Sequence, residues 1–207
     1  MENILVAGAN GTTGKKIVTL LESSQYFNPI AMVRKENQKE QFEKRAIKTV
    51  LADLEEDVSH TVKNIDKIIF AAGSGGKNVI AVDEEGAKKL IDAAKKEKIK
   101  KFIMLSSMGV DNPEESENLQ AYFQAKQNAD AYLRESNLTF SIVRPGALTD
   151  ELGQGKIELT KELNKSGEIS RDDVAQTLVR VLHDSATINE TFEIIKGETL
   201  IGQAIPN

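Results

Sequence analysis

Short, uniformly apolar runs recur along the chain, with amphipathic or polar stretches between them. Ile4–Ala7 is continuously apolar, and from Thr12 to Glu22 the apolar positions fall at helical spacing. Ile30–Val33 repeats the pattern and leads into a polar stretch, Glu36–Lys44, that predicts a surface helix. Ile47–Leu51 is a short run. Lys67–Ala72 precedes the longest helical pattern, about Asn78 to Lys98. Phe102–Leu105 leads through a polar loop to a helix from about Leu119 to Glu135, and Phe140–Val143 ends at Arg144-Pro145-Gly146. A looser stretch follows, then a helix Arg171–His183 and a last strand Thr191–Ile195.

Strands that alternate with helices imply right-handed crossovers and a parallel sheet. Runs that are apolar throughout, rather than at every second position, predict strands buried on both faces. The expected fold class is α/β, a doubly wound parallel sheet in three layers, α/β/α. The 207 residues suit one domain. Residues from about 146 to 170, glycine-rich and without firm periodicity, are expected to form a small C-terminal excursion on the substrate side.

The first strand runs directly into GANGTTG, with Gly8, Gly11 and Gly14 at even three-residue steps. A strand that must turn sharply into its crossover helix favours a first glycine. A second lets backbone approach a pyrophosphate, and a third lets helix pack tightly on strand. The helix then presents free N–H groups and its positive dipole end to the phosphates. Asn10 lies within this turn, and Thr12 and Thr13 can add hydroxyl donors. A dinucleotide is therefore the expected ligand, since the motif closes a strand and opens a helix.

The second strand ends in Arg34-Lys35, where an acidic residue would select the 2′-hydroxyl of NAD. Arg34 can fork onto a 2′-phosphate and Lys35 can add a point charge, so NADP is expected over NAD. Ala71, Ala72 and Gly73 end the fourth strand with small residues that leave room for a ribose. Tyr122 and Lys126 stand at i, i+4 on one helix face. Ser106 and Ser107 leave the preceding strand at its carboxyl end, where ligands bind in open α/β sheets. A carbonyl that receives hydride needs a proton; a tyrosine hydroxyl, with a free pKa of about 10, can give it when an ammonium stands beside it.

The Gly-x-x-Gly-x-x-Gly spacing of GANGTTG resembles the turn of extended and atypical short-chain dehydrogenase/reductases, NAD(P)-dependent Rossmann proteins. In length the chain is similar to the small biliverdin/flavin reductase-like and NmrA-like members. The resemblance implies a Rossmann-like fold from Ile4 to about Ile195. It implies that Ser107 polarises the substrate, that Tyr122 is the acid/base, and that Lys126 activates it and binds ribose. Asp53, in Ala52-Asp53-Leu54, matches the position that contacts adenine, although a turn or cap role fits equally. Pro145 and Gly146 match a turn whose backbone lies beside the nicotinamide. The resemblance also leaves a homodimer open, because helices like the one carrying Tyr122 pair subunits in related proteins.

Composition narrows the field. There is no cysteine, so thiol chemistry and disulfides are excluded. The net charge of −5 offers no nucleic-acid footprint. The run Lys88–Lys101 carries apolar residues at helical spacing and is expected to be the wet side of a helix. His60 and His183 lack an acidic cluster, so no metal site is expected. Ser170 is expected to cap the helix that starts at Arg171, with Asp172 and Asp173 in its first turn. No apolar run approaches a membrane span, and the N-terminus shows no export signal, so a cytoplasmic protein is expected. The expected function is an NADP(H)-dependent oxidoreductase acting on a small carbonyl, quinone-like or related substrate. The alternatives are an NmrA-type redox sensor with little turnover, a flavin or biliverdin reductase that needs no tyrosine, and a nucleotide-sugar epimerase or dehydratase. With roughly 60 residues after the sixth strand, a small substrate pocket is expected.

Overall fold

A computed structural model of the chain describes residues 1–206. In chain order it contains β1 (Glu2–Ala7), α1 (Thr12–Glu22), β2 (Phe27–Val33), α2 (Glu36–Glu43), β3 (Lys48–Leu51), β4 (Lys67–Phe70), α3 (Gly86–Lys96), β5 (Lys101–Leu105), α4 (Gln120–Arg134) and β6 (Phe140–Pro145). Then come β7 (Ala147–Thr149), β8 (Lys156–Thr160), β9 (Glu168–Ser170), α5 (Arg171–Arg180), β10 (Glu190–Lys196), β11 (Thr199–Leu200) and the short α6 (Ile201–Ala204). The strands form one sheet in the order β11-β8-β10-β6-β5-β4-β1-β2-β3, plus a two-stranded ribbon of β7 and β9. From β10 to β3 every pairing in the large sheet is parallel; β8 and β11 are antiparallel additions at one edge. The α/β doubly wound architecture is as the sequence pattern predicts.

Each strand side chain alternates between two apolar layers. In β1, Ile4 and Val6 pack with Ile17, Leu21, Val174 and Leu178 of α1 and α5. Leu5 and Ala7 point the other way, toward Leu90, Phe102 and Leu133 on the side of α3 and α4. Burial on both faces explains the uninterrupted apolar runs. β2 starts three positions before its apolar run, because Phe27–Pro29 pair with Glu2–Ile4. β3 begins to pair only at Ile30, so the missing N–H of Pro29 leaves that ladder intact.

Four expectations change. The long helix is interrupted: Val79–Glu85 is a π-helical turn, and regular helix begins at Gly86. Asp83, within this segment, is fully buried. Arg144-Pro145-Gly146 is not a turn. β6 runs through Pro145 because β10 pairs along it, Ile194 opposite Pro145. The stretch after residue 146 is not purely an excursion, since β8 returns to the main sheet with Ile157 buried. Finally, Lys101 is not on the wet side. It is buried at the start of β5, where its ammonium donates to the carbonyls of His183 and Ala186. Lys67, equally buried at the start of β4, donates to the Leu182 carbonyl at 2.8 Å and pairs with Glu2 at 2.6 Å.

Along the sheet the chain order reverses between β1 and β4, the switch point at which α/β sheets open a crevice beyond their carboxyl ends. The glycine turn lies at that place. A Cβ on Gly14 would stand 2.0 Å from the Gly8 carbonyl oxygen. Gly14→Ala is therefore expected to cost about 3 kcal/mol or more of stability, since backbone must move to admit it. In α6, Gly202 meets nothing within 4 Å. Gly202→Ala is expected to be neutral or to stabilise by up to about 1 kcal/mol. Urea unfolding of the two variants checks the contrast.

Candidate active site

Two clefts open at the carboxyl ends of the parallel strands. The first, of about 360 Å³, lies over β1–β4 and is lined by Gly8, Asn10, Gly11, Arg34, Asp53 and Gly73 among others. Gly8 has φ +84°, a left-handed value, and an added Cβ would stand 2.6 Å from the Ala72 backbone. Gly11 donates its N–H to the Gly8 carbonyl at 2.9 Å and is the N-cap of α1. No side chain caps this helix, and its N-cap, Gly11, lines the cleft. Thr13 is buried and Thr12 exposed. Asn10 Oδ1 and Ser74 Oγ are buried with no hydrogen-bond partner. Backbone approach, uncapped helix and orphaned polar atoms together fit a dinucleotide.

Arg34 lines this cleft and is half exposed, with Nε 4.0 Å from Asp53 Oδ2. Asp53 also accepts the Glu55 N–H at 3.1 Å, so it shapes its own turn as well as meeting Arg34. Leu54 and Ala72 line the same cleft, while Ala71 sits half-buried at the end of β4. Lys35 is exposed at the N-cap of α2 and does not line the cleft.

The second cleft, of about 870 Å³, is lined by Ser106, Ser107, Tyr122, Phe123, Pro145 and Gly146 together with residues of the loops after β5 and β8. It has more room than the short C-terminal stretch predicts, because much of that stretch extends the sheet instead of covering the opening. Lys126 lies beneath it, 3% exposed, with Nζ donating to the Leu105 carbonyl at 3.1 Å. The same Nζ is 5.9 Å from the centroid of the Tyr122 ring and 5.9 Å from that of Phe70. Ser107 Oγ reaches only the neighbouring Met108 carbonyl, at 3.0 Å. Ser106 Oγ instead points down and donates to Asp130 Oδ2 at 2.9 Å. Of the two serines, Ser107 keeps its hydroxyl available to the cleft.

Sequence reasoning missed the charged floor of this site. Asp130 is fully buried and accepts from both Ser106 and Arg144, whose Nε lies at 3.0 Å. Burial pushes the Asp130 carboxyl up, while the Arg144 charge and the Ser106 hydroxyl pull it down. Arg144 extends to Asp111 at 2.6 Å, tying the roof loop to the sheet. Asp83, from the π-helical turn, places Oδ1 3.8 Å from Lys126 Nζ. The signal for Asp130 was available: it follows Lys126 at i, i+4, an acid on the face already assigned to chemistry. Elsewhere, Ser170 caps α5 by accepting the Asp173 N–H at 3.0 Å. Asp172 pairs with Lys16, and Asp173 accepts the N–H groups of Gln154 and Gly155, so both acids hold the loop before β8.

A profile described as NAD(P)H-binding matches residues 8–185. The chain belongs to the NAD(P)H-binding family. It is 41% identical to YhfK of Bacillus subtilis, named an uncharacterized sugar epimerase, over 98% of each chain. A solved Bacillus halodurans structure, provisionally titled an NAD-dependent epimerase/dehydratase, superposes with TM-score 0.94 at 37% identity, covering 99% and 98% of the two chains. ChuY of Escherichia coli O157:H7, named an anaerobillin reductase, shares the fold with TM-score 0.82 at 23% identity over 95% and 98%. The chain is thus related to proteins that carry epimerase-type names, and it shares its Rossmann-like sheet with a reductase. No described helix is long and apolar enough to cross a membrane, and no group of three metal-ligating side chains occurs among the described residues.

The Asp130–Arg144 pair gives a stability test. Asp130→Ala is expected to cost about 3 kcal/mol, because a nearly buried guanidinium loses its buried partner and keeps only the exposed Asp111. Asp130→Leu combined with Arg144→Met is expected to recover much of that loss, as both charges leave together. Denaturant midpoints of the single and double variants measure it.

Proposed function

We propose that this protein is an NADP(H)-dependent oxidoreductase that moves hydride to or from a small carbonyl, quinone-like or related substrate, with Tyr122 as acid/base. The observation that carries the reading is the arrangement of Ser107, Tyr122 and buried Lys126 at one cleft, beside a glycine cradle shaped for a dinucleotide. The coenzyme, when bound, supplies the hydride. Gly8, Gly11 and Gly14 admit its diphosphate to the N-terminus of α1, where Asn10 and Thr12–Thr13 add polar contacts. Ala71–Gly73, Asp53 and Leu54 flank the adenosine half, and Pro145 and Gly146 edge the nicotinamide side. Ser107 donates a hydrogen bond to the substrate oxygen. As that oxygen gains negative charge, Tyr122 gives it the hydroxyl proton, and the Lys126 ammonium beneath the ring stabilises the tyrosinate left behind.

Arg34 supports NADP over NAD. Its guanidinium is held at the edge of the cleft by only the long contact to Asp53, so it can turn onto a 2′-phosphate. Lys35, further out, adds field rather than a fork. Tyr122 itself speaks against a sensor without turnover, because a protein that only reads the redox state of its coenzyme has no use for an acid/base placed over a buried lysine.

Turnover is tested by NADPH oxidation against aromatic aldehydes and quinones. Tyr122→Phe is expected to lower kcat by about 100-fold or more with coenzyme affinity retained; equal rates in the two proteins overturn the acid/base assignment. Arg34→Ala is expected to weaken NADPH binding by about 10–100-fold and NADH binding by less than about threefold, as judged by fluorescence titration. A wild-type preference for NADH overturns the coenzyme assignment.

A further inference from the structure

The π-helical turn places an acid where the chemistry described so far does not use one. Asp83 is 0% exposed and stands between the two clefts. Its Oδ2 accepts the Ser74 N–H at 3.0 Å, which ties it to the end of the nucleotide cleft. Its Oδ1 has no hydrogen-bond partner at all, yet lies 3.8 Å from Lys126 Nζ. A buried carboxylate oxygen left unbonded is costly unless its charge is matched nearby. The segment that carries it, Val79–Glu85, is π-helical, a rare geometry that is frequent at functional sites.

Lys126 needs such a match. Its ammonium is removed from water, and a buried charge is costly unless an opposite charge stands near it. The groups that face it are few: the Leu105 carbonyl from β5, the ring of Phe70 at the end of β4, Tyr122 from its own helix, and Asp83. Asp130, one turn on along α4, is engaged by Arg144 from β6 and by Ser106. Asp83 is therefore the carboxylate within 4 Å of Nζ that has no other cation among the described residues.

We propose that Asp83 is a positioning residue for the reaction: it is the counter-ion that keeps buried Lys126 charged and directed beneath Tyr122, and through Lys126 it sets how readily Tyr122 gives up its proton. This rests on the proposed roles of Tyr122 and Lys126. It adds that the π turn couples the nucleotide cleft, through Ser74, to the acid/base. Asp83 touches neither substrate nor the reacting atoms; it acts only through the lysine.

The test reads tyrosinate absorbance, which needs no turnover and so separates this inference from the substrate assignment. The chain has three tyrosines, so subtracting the titration of a Tyr122→Phe counterpart isolates Tyr122. In Asp83→Asn, which keeps the side-chain shape, the half-titration pH of Tyr122 is expected to rise by about one unit or more, because Lys126 loses its proton first. Asp83→Glu, which keeps the charge, is expected to stay within about half a unit of wild type. In a Lys126→Met background the Asp83→Asn effect is expected to vanish. A titration in Asp83→Asn that overlays wild type or moves downward overturns the inference, as does an upward effect that persists without Lys126. Asp83→Ser provides the same reading if the amide variant does not fold. Absence of turnover with every acceptor, together with the expected titration shifts, would sink the oxidoreductase reading and leave this coupling standing.

Discussion

The closest constraint in the molecule is between two stretches of bare backbone. The Gly8 carbonyl and the Gly14 Cα come so near that a methyl group on the second would overlap the first, and Gly8 itself lies against the Ala72 backbone. That contact locks α1 onto the end of β1 and β1 onto the end of β4. It fixes where the N-terminus of α1 points and leaves a groove floored by peptide groups rather than side chains. Both clefts are arranged around this junction, because β4 and β5 inherit their register from β1.

From there the polar design becomes one of partial satisfaction. Deep in the sheet the buried ammonium groups are matched: Lys67 takes Glu2 and the Leu182 carbonyl, and Lys101 takes the His183 and Ala186 carbonyls. Close to the clefts the same rule is relaxed. Asn10 Oδ1, Ser74 Oγ, Asp83 Oδ1 and Asp130 Oδ1 are buried without hydrogen-bond partners; the first three lie around the junction between the first cleft and Lys126, and Asp130 lies beneath the second cleft. Unmet polarity in a buried place costs stability, and a protein keeps it where something else completes the set. The orphaned atoms gather at the two clefts and the wall between them, a distribution that does not depend on the glycine motif.

The fold was legible because its parallel strands are buried on both faces. A run such as Ile68-Ile69-Phe70 leaves no doubt about a core strand, and GANGTTG announces the turn that follows β1. What was illegible has physical reasons. β8 shows alternation over only five residues, Ile157 and Leu159 against Lys156 and Glu158, and so looks like loop. Proline at 145 argues for a turn when read locally, but β10 arrives from fifty residues downstream to continue the strand. Lys101 sits in a lysine-rich run, and nothing local says that its ammonium will be captured by the His183 and Ala186 carbonyls from the far side of the sheet.

The same asymmetry divides the site. Ser107, Tyr122 and Lys126 could be read from spacing because two of them share one helix face and the third ends a strand. Asp83 falls four residues before Ala87 and seven before Leu90, so helical spacing puts it on the buried face; what the spacing does not say is that Lys126 meets it there. At about 100° per residue, the seven residues from Asp83 to Leu90 bring the two to within roughly 20° of one face. The acid therefore stands in line with the buried face of α3, where Lys126 arrives from α4. Where that face would otherwise bury another hydrocarbon side chain it buries a carboxylate, and the lysine gains its partner.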